Sequence, residues 1–139
     1  MTDFPRGRSV TYIHRVSAMA ETKTQSGTAD LVVRSALREL DRKLRVRFGR
    51  KYLRLILFGS RVRGDHAPES DADVAVIFRG RIDDRWSLKR LIIEETYPIL
   101  LETGLYIQPW PLEEEELGNP DTSSNPALLR NVVREGIPP

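Results

Sequence analysis

Two aspartates, Asp71 and Asp73, stand two residues apart at the start of an apolar run, and their spacing suits the binding of a metal ion. Residues two apart on a strand point to the same face, so the pair presents two carboxylates side by side. Carboxylates that close repel each other unless a cation neutralises them. Mg²⁺ prefers hard oxygen ligands of this kind, completed by phosphate and water. The pair therefore predicts a metal-binding site.

Gly59 and Ser60 end the preceding apolar run, and their types suit the binding of a phosphate group. Glycine lets the backbone approach a ligand closely, and exposed N–H groups with a hydroxyl can hold an anion. A short helical turn over SRVRG would favour the same anion. Ten residues separate Ser60 from Asp71, enough for a loop that brings the two runs together as paired strands. The stretch LILFGSRVRGDHAPESDADVAVIF therefore predicts Mg²⁺ held against a nucleoside triphosphate.

The rest of the chain supplies elements that would position this stretch. Apolar spacing predicts an α-β-β-α-β-α order, an α/β domain with a small sheet flanked by helices. Pro98 predicts a kink or break in the second helix, and Pro109 confines the third strand to an edge or ends it. The predicted elements are helix 28–48, strand 53–58, strand 71–78, helix 85–104, strand 105–110, a helical turn and loop at 111–120, and a closing helix within 125–136. That closing helix has Asn125 at its N-cap, Pro126 at its first position, and a buried stripe of Leu128, Leu129, Val132 and Val133.

Length and composition limit the class of protein. A chain of 139 residues fits one domain, predicted at 28–139, behind a polar and flexible tail at 1–27 in which Met19 is an alternative start. The absence of cysteine excludes disulfides, thiolate zinc sites and a cysteine nucleophile, and favours a reducing cytoplasm. No apolar segment has the length of a membrane span or a signal peptide.

Charge is distributed unevenly along the chain. Residues 1–66 carry 15 Lys/Arg against 6 Asp/Glu, a balance of +9, and residues 67–139 carry 7 against 14, a balance of −7. Much of the basic excess falls on one amphipathic helix that also carries acidic residues, a pattern typical of a solvated face. Nucleic acid is therefore not expected as a direct substrate.

The Gly-Ser pair, the ten-residue spacer and Asp-x-Asp together resemble the signature of the DNA polymerase β-like nucleotidyltransferases, and most of all their minimal (MNT) domains. The resemblance implies that fold, and transfer of AMP from ATP to an acceptor hydroxyl with two Mg²⁺ ions. It implies that Asp71 and Asp73 hold the metals, that Gly59 and Ser60 hold the β and γ phosphates, and that Arg61 or Arg63 assists.

The sequence departs from this pattern at the third carboxylate, which the family takes from a later strand. The matching strand, GLYIQPWPL, has Tyr106 and Gln108 on one face and no acid. Glu102 precedes it and Glu113–Glu116 follow it, but strand geometry does not favour either, and Glu113–Glu116 are interpreted as a solvated acidic face. Nucleotide binding is thus better supported than turnover.

Several alternatives stay open at this point. Minimal domains of this type are often encoded beside a HEPN-type RNase toxin, which implies an antitoxin role exerted by AMP transfer or by binding alone. A small-molecule acceptor such as an aminoglycoside is disfavoured because no second domain is present. A homo-oligomer is possible. Without the family resemblance, Asp71 could cap a turn and Asp73 could pair with an arginine, and Trp86, Tyr97 and Trp110 could stack on adenine or lie in a core or partner surface.

Overall fold

The computed structural model describes residues 20–67 and 70–139, with side chains from Asp30 onward. A mixed sheet of three strands has helices on both faces, which confirms the predicted fold class. The elements are α1 (Ala20–Phe48), β1 (Tyr52–Phe58), α2 (Ser60–Arg63), β2 (Ala72–Phe78), α3 (Arg85–Thr103), β3 (Ile107–Glu113), α4 (Glu114–Gly118) and α5 (Pro126–Glu135), with 3₁₀ turns at Gly49–Lys51 and Pro120–Thr122. No helix in these two ranges has the length and apolar character of a membrane span.

Strand β2 is the middle strand of the sheet. It pairs antiparallel with β1 and parallel with β3. In this register Asp73 lies between Phe58 at the end of β1 and Gln108 at the start of β3. Both faces of β2 are covered, because four consecutive residues from Val74 to Ile77 are fully buried. This double burial explains the unbroken apolar run in the sequence.

The two faces of the sheet have separate cores. On one face, α1 and α3 bury Leu40 and Ile92 against Val74 and Val76. On the other face, α5 buries Leu129 and Val132 against Ala75 and Ile77, which alternate with Asp73 along β2. Asp73 therefore lies on the α5 side of the sheet, just beyond the edge of that core.

Element bounds differ from the sequence prediction at three places. Helix α1 begins at Ala20, earlier than predicted, and residues 1–19 of the predicted tail, including Met19, lie outside the described residues. Helix α3 continues through Pro98, so of the predicted kink or break, the break is wrong. Pro98 is exposed, and the helical carbonyl left without a donor can bond to water there. Strand β3 is an edge strand, as Pro109 required, but it extends past the predicted end to Glu113.

The closing helix α5 begins as predicted, since the Asn125 side chain accepts from the Leu128 amide and Pro126 follows it. Its buried stripe is different from the prediction: Val133 is 45% exposed, and Leu129, Val132 and Glu135 are the buried residues. Positions three apart continue one face of the helix, so docking through Leu129 and Val132 turns Glu135 inward. A carboxylate thus occupies a position at which an apolar side chain was expected.

The end of α5 is fixed against β1. Ile137 and Leu57 exchange two backbone hydrogen bonds, of 2.8 and 2.9 Å. Between this bridge and the helix, a side chain on Gly136 would collide with Ile56. The absence of a side chain lets α5 end directly against β1, two residues before the Gly59 turn. The attachment of the end of α5 to β1 places Glu135 close to the Gly59 turn.

Candidate active site

Gly59 leaves β1 in a conformation that other residues rarely adopt. Its φ is +86° and its ψ is −156°. A Cβ at this position would lie 2.7 Å from Oδ2 of Asp73. Glycine is therefore needed for both backbone conformation and space. The sequence could show that a glycine stands here, and the structure shows that it lies against the aspartate.

Ser60 starts the helical turn α2 directly after Gly59. Its carbonyl accepts from the amides of Gly64 and Asp65, which closes the turn. Within the described residues, neither the Ser60 amide nor its hydroxyl has a hydrogen-bond partner. Ser60 is half-exposed, and it directly follows Gly59, which lies against Asp73. Its amide and hydroxyl form the donor set that an anionic oxygen needs.

Asp73 is partly buried and Asp71 is exposed just ahead of β2. Burial raises the pKa of Asp73. The Trp110 indole, whose Nε1 lies 3.4 Å from Oδ1, opposes the rise, and the charge of Asp71 adds to it. Both the desolvation and the neighbouring charge would be relieved by a cation. The two aspartates thus form an acidic site whose chemistry favours a metal ion.

The carboxylates of Asp71 and Asp73 suit Mg²⁺ in the way that it is usually bound beside a nucleotide. Among the described residues, no group of three or more His, Asp or Glu side chains could hold a metal by itself. Mg²⁺ in nucleotide sites usually takes one or two carboxylates and completes its shell with phosphate oxygens and water. Asp71 and Asp73 would supply the protein ligands, and the substrate would supply the rest.

Comparison with known proteins gives a family that agrees with this geometry. The model of the family described as "Nucleotidyltransferase domain" matches residues 30–125. The chain belongs to this nucleotidyltransferase family. A Methanocaldococcus jannaschii protein named "Putative protein adenylyltransferase MJ0604" is 33% identical over 101 residues, which cover 73% of this chain and 91% of that protein.

A solved structure supports the same fold. It is a crystal structure from Sulfolobus solfataricus, described as a "putative nucleotidyltransferase", which superposes with a TM-score of 0.58. The match covers 81% of this chain and 84% of the other at 16% identity. At that identity the likeness shows a shared fold, and the chemistry of this nucleotidyltransferase domain has to be argued from its own residues.

The two arginines of α2 have different surroundings in the nucleotidyltransferase domain. Arg61 is buried, and its guanidinium donates to the Ser70 carbonyl at 2.7 and 3.1 Å. This contact ties the loop ahead of Asp71 to the helical turn. The side chain of Arg63 is 47% exposed, and its charge lowers the pKa of Asp73. Of the two, Arg63 has the access that a phosphate ligand requires.

No acid from β3 or α4 replaces the third carboxylate. Gln108 is the direct neighbour of Asp73, whereas Glu113 pairs with Phe78 at the opposite end of the parallel strands. Glu113 accepts from the Ile82 amide at 2.8 Å, and Glu116 pairs with Arg85 at 2.8 Å. Glu114, Glu115 and Glu116 lie farther along the chain, past the end of β3, and Glu102 is exposed at the end of α3. Beside Asp73, where the resemblance led us to expect an acid, β3 therefore has an amide.

Glu135 is the residue of this site that the sequence prediction missed. It is 8% exposed, and its Oε2 accepts from the Gly59 amide at 2.7 Å and from Arg63 at 3.0 Å. Its charge also contributes to the raised pKa of Asp73, after burial and Asp71. The signal in the sequence was its spacing from Leu129 and Val132, which places it on the inner face of α5.

A cleft lies on the β3 side of Asp73. It has a volume of about 260 Å³ and is lined in part by Trp86, Lys89 and Trp110. Lys89 lies over the Trp110 ring at 4.5 Å from its centroid, and Trp110 reaches Asp73 through its indole nitrogen. Trp86 is 70% exposed at the same cleft. Trp110 therefore connects this cleft with the acidic site.

Proposed function

We propose that the chain transfers AMP from ATP to a hydroxyl of a protein partner, with Mg²⁺ held by Asp71 and Asp73. The observation that carries the proposal is the close approach of Gly59 to Asp73, which brings the turn proposed to bind phosphate next to a carboxylate proposed to bind the metal. Membership of the nucleotidyltransferase family supports the reaction class. The name of the Methanocaldococcus jannaschii relative supports a protein as the acceptor.

Each group of the site has a distinct role in this proposal. The amide and hydroxyl of Ser60, with Arg63, bind the β and γ phosphates, and the missing side chain of Gly59 lets the backbone come close to them. Arg61 holds the loop through Ser70 and so acts on the nucleotide indirectly. When bound, two Mg²⁺ ions would neutralise the phosphates and the developing charge on the attacking and leaving oxygens. The acceptor hydroxyl releases its proton to water and its oxygen bonds to the α phosphorus as the bond to pyrophosphate breaks.

Sheet order gives the direction from which the acceptor approaches. Gly59 and Ser60 lie at the end of β1, Asp73 lies on the middle strand, and Trp110 lies on β3. Attack and departure in phosphoryl transfer are roughly in line, on opposite sides of the phosphorus. With pyrophosphate on the β1 side, the hydroxyl enters over β3. The cleft at Trp110 is on that side.

The proposed partner is a HEPN-type RNase toxin, which the modification would inactivate. This part of the proposal rests on the resemblance of the Gly-Ser and Asp-x-Asp spacing to minimal nucleotidyltransferase domains. The exposed Trp86, Tyr97 and Leu101 on α3 offer apolar surface for such a partner.

A labelling experiment tests the proposed transfer. The pure protein is incubated with Mg²⁺ and ATP labelled at the α phosphate, in extract of the native cell. We expect one labelled protein band that requires Mg²⁺ and does not form with ATP labelled only at the γ phosphate. The γ label controls for kinase activity. Absence of the band, when a co-purified partner is present in the reaction, would contradict transfer to that partner.

Gln108 favours a second candidate function, that of an antitoxin or scaffold which binds nucleotide and partner without turnover. We predict that Gln108→Glu raises AMP transfer about 10-fold or more, because a positioned general base contributes roughly 10²- to 10⁴-fold. The measurement is the rate of α-label incorporation, with Gln108→Asn as the uncharged control. Equal rates in Gln108→Glu, Gln108→Asn and the native chain would show that this position does not limit transfer.

A further inference from the structure

Glu135 contacts the candidate phosphate-binding turn from a distant part of the chain. It lies 76 residues from Gly59, whose amide donates to Oε2 at 2.7 Å. The same oxygen accepts from Arg63 at 3.0 Å, and the other oxygen lies 3.9 Å from Arg134. A buried carboxylate with two donors on one oxygen makes strong charge-assisted hydrogen bonds. Glu135 therefore fixes both ends of α2, at Gly59 and at Arg63.

The position of this carboxylate is determined by well-packed structure. Leu129 and Val132 hold α5 against the sheet, and the Leu57–Ile137 bridge holds the chain directly after it. Residues on both sides of Glu135 are thus fixed to β1, the strand that leads into the turn. The carboxylate can hold the turn because it has little freedom of its own.

The contacts also determine which donors remain for a ligand. Because the Gly59 amide donates to Glu135, it is not available to a phosphate. The amide and hydroxyl of Ser60 are left as the unpaired donors among the described residues of the turn. Glu135 likewise holds Arg63 close enough to Asp73 to affect the carboxylate, while Asp65 binds the same guanidinium at 3.2 Å. One carboxylate oxygen thus binds both Gly59 and Arg63.

We propose that Glu135 is a positioning residue of the nucleotidyltransferase site, which pre-organises the Gly59–Ser60 turn and Arg63 for the triphosphate. This inference rests on the proposed function for the identity of the ligand. It adds a residue from α5 to the proposed phosphate and metal ligands, which all come from the stretch from β1 to β2. Pre-organisation of this kind strengthens binding because the turn loses less freedom when the ligand arrives.

Three variants of the full chain separate positioning from general stability. Glu135→Ala removes the carboxylate, and Glu135→Gln keeps an oxygen acceptor without the charge. Ile92→Val trims the core on the opposite face of the sheet and leaves the packing of α5 unchanged, so it is the control for stability. The measurements are calorimetric binding of ATP with Mg²⁺, the KM and kcat of transfer, and amide hydrogen exchange at Gly59 without nucleotide.

We expect Glu135→Ala to weaken binding of Mg·ATP by about 10- to 100-fold, the loss typical of hydrogen bonds to a charged group. The KM for ATP should rise by a similar factor and kcat should change less, because the turn contributes to binding before and during reaction. Glu135→Gln should bind Mg·ATP more tightly than Glu135→Ala but less tightly than the native chain. Exchange at the Gly59 amide should be at least about 10-fold faster in Glu135→Ala and nearly unchanged in Ile92→Val.

Equal binding of Mg·ATP by Glu135→Ala and Ile92→Val would overturn the proposal, as would unaltered exchange at Gly59. If Glu135→Ala does not fold, the same comparison is made with Glu135→Gln. The Gly59 readout needs no nucleotide. A native chain that shows no affinity for Mg·ATP would therefore refute the proposed function, while the exchange data would still decide whether Glu135 holds the turn.

Discussion

Replacing Asp71 and Asp73 together by asparagine should abolish Mg²⁺-dependent binding of ATP and leave the protein folded. Asparagine keeps the size of each side chain but removes both negative charges, so it cannot neutralise the metal. Loss of metal interactions worth several kcal/mol corresponds to a fall in affinity of about 100-fold or more. Calorimetry with ATP, with and without Mg²⁺, measures the effect. Mg²⁺-dependent affinity for ATP that persists in this variant would contradict metal binding by Asp71 and Asp73.

The effect of the Asp73 substitution on stability can be predicted from the pKa of Asp73. Burial raises that pKa above its value in the unfolded chain, and Asp71 and Glu135 add to the rise. Between the two values, the folded state binds more protons than the unfolded state, so this residue lowers stability as pH rises. The neutral side chain of Asp73→Asn removes that cost.

Thermal unfolding should therefore show the single variant Asp73→Asn to be at least as stable as the native chain at pH 7. The difference should decrease as pH falls through the raised pKa of Asp73 towards its ordinary value, because the native carboxyl becomes neutral as well. Circular dichroism melts from about pH 4 to 8 measure it. A variant that melts well below the native chain at pH 7 would indicate that the carboxylate stabilises the fold. Loss of ATP binding in the double variant would then have to be tested with a different substitution at Asp73.

The sequence predicted the parts of this molecule that depend on local spacing. Alternation along β2 places Asp73 on one face with Ala75 and Ile77, and that face is the one covered by α5. The Gly-Ser pair likewise lies at the strand end where the apolar run stops. Such features depend on backbone periodicity within a few residues, which a sequence records directly.

Features that depend on tertiary contacts were not predictable in the same way. Glu135 was missed because its two partners, Gly59 and Arg63, are more than 70 residues away, and an acid in the last turn of a helix usually faces solvent. The extension of β3 past Pro109 and Pro111 follows from pairing on one side only, since an edge strand needs fewer of its own donors. The position of Glu135 and the length of β3 both depend on residues that are near in space and distant in sequence.

Gly59→Ala should lose most Mg·ATP affinity, because the glycine combines a left-handed backbone with close approach to Asp73. A positive φ costs about 1–2 kcal/mol for a residue with a Cβ. The added Cβ would in addition lie 2.7 Å from Oδ2, so the carboxylate or the turn must move. We expect Kd for Mg·ATP to rise by about 10-fold or more, since displacement of a metal ligand costs at least one such interaction.

Gly104→Ala is the matched control for this prediction. Gly104 also has a positive φ, of +76°, but a Cβ there would meet nothing within 4 Å. It caps α3, away from the acidic site, so alanine should lower the free energy of unfolding by about 1 kcal/mol and leave binding unchanged. Calorimetry and thermal melts of both variants separate backbone strain from the contact with Asp73. If both variants bound Mg·ATP equally well, the close approach of Gly59 to Asp73 would have no part in nucleotide binding, and the observation that carries the proposed function would be lost.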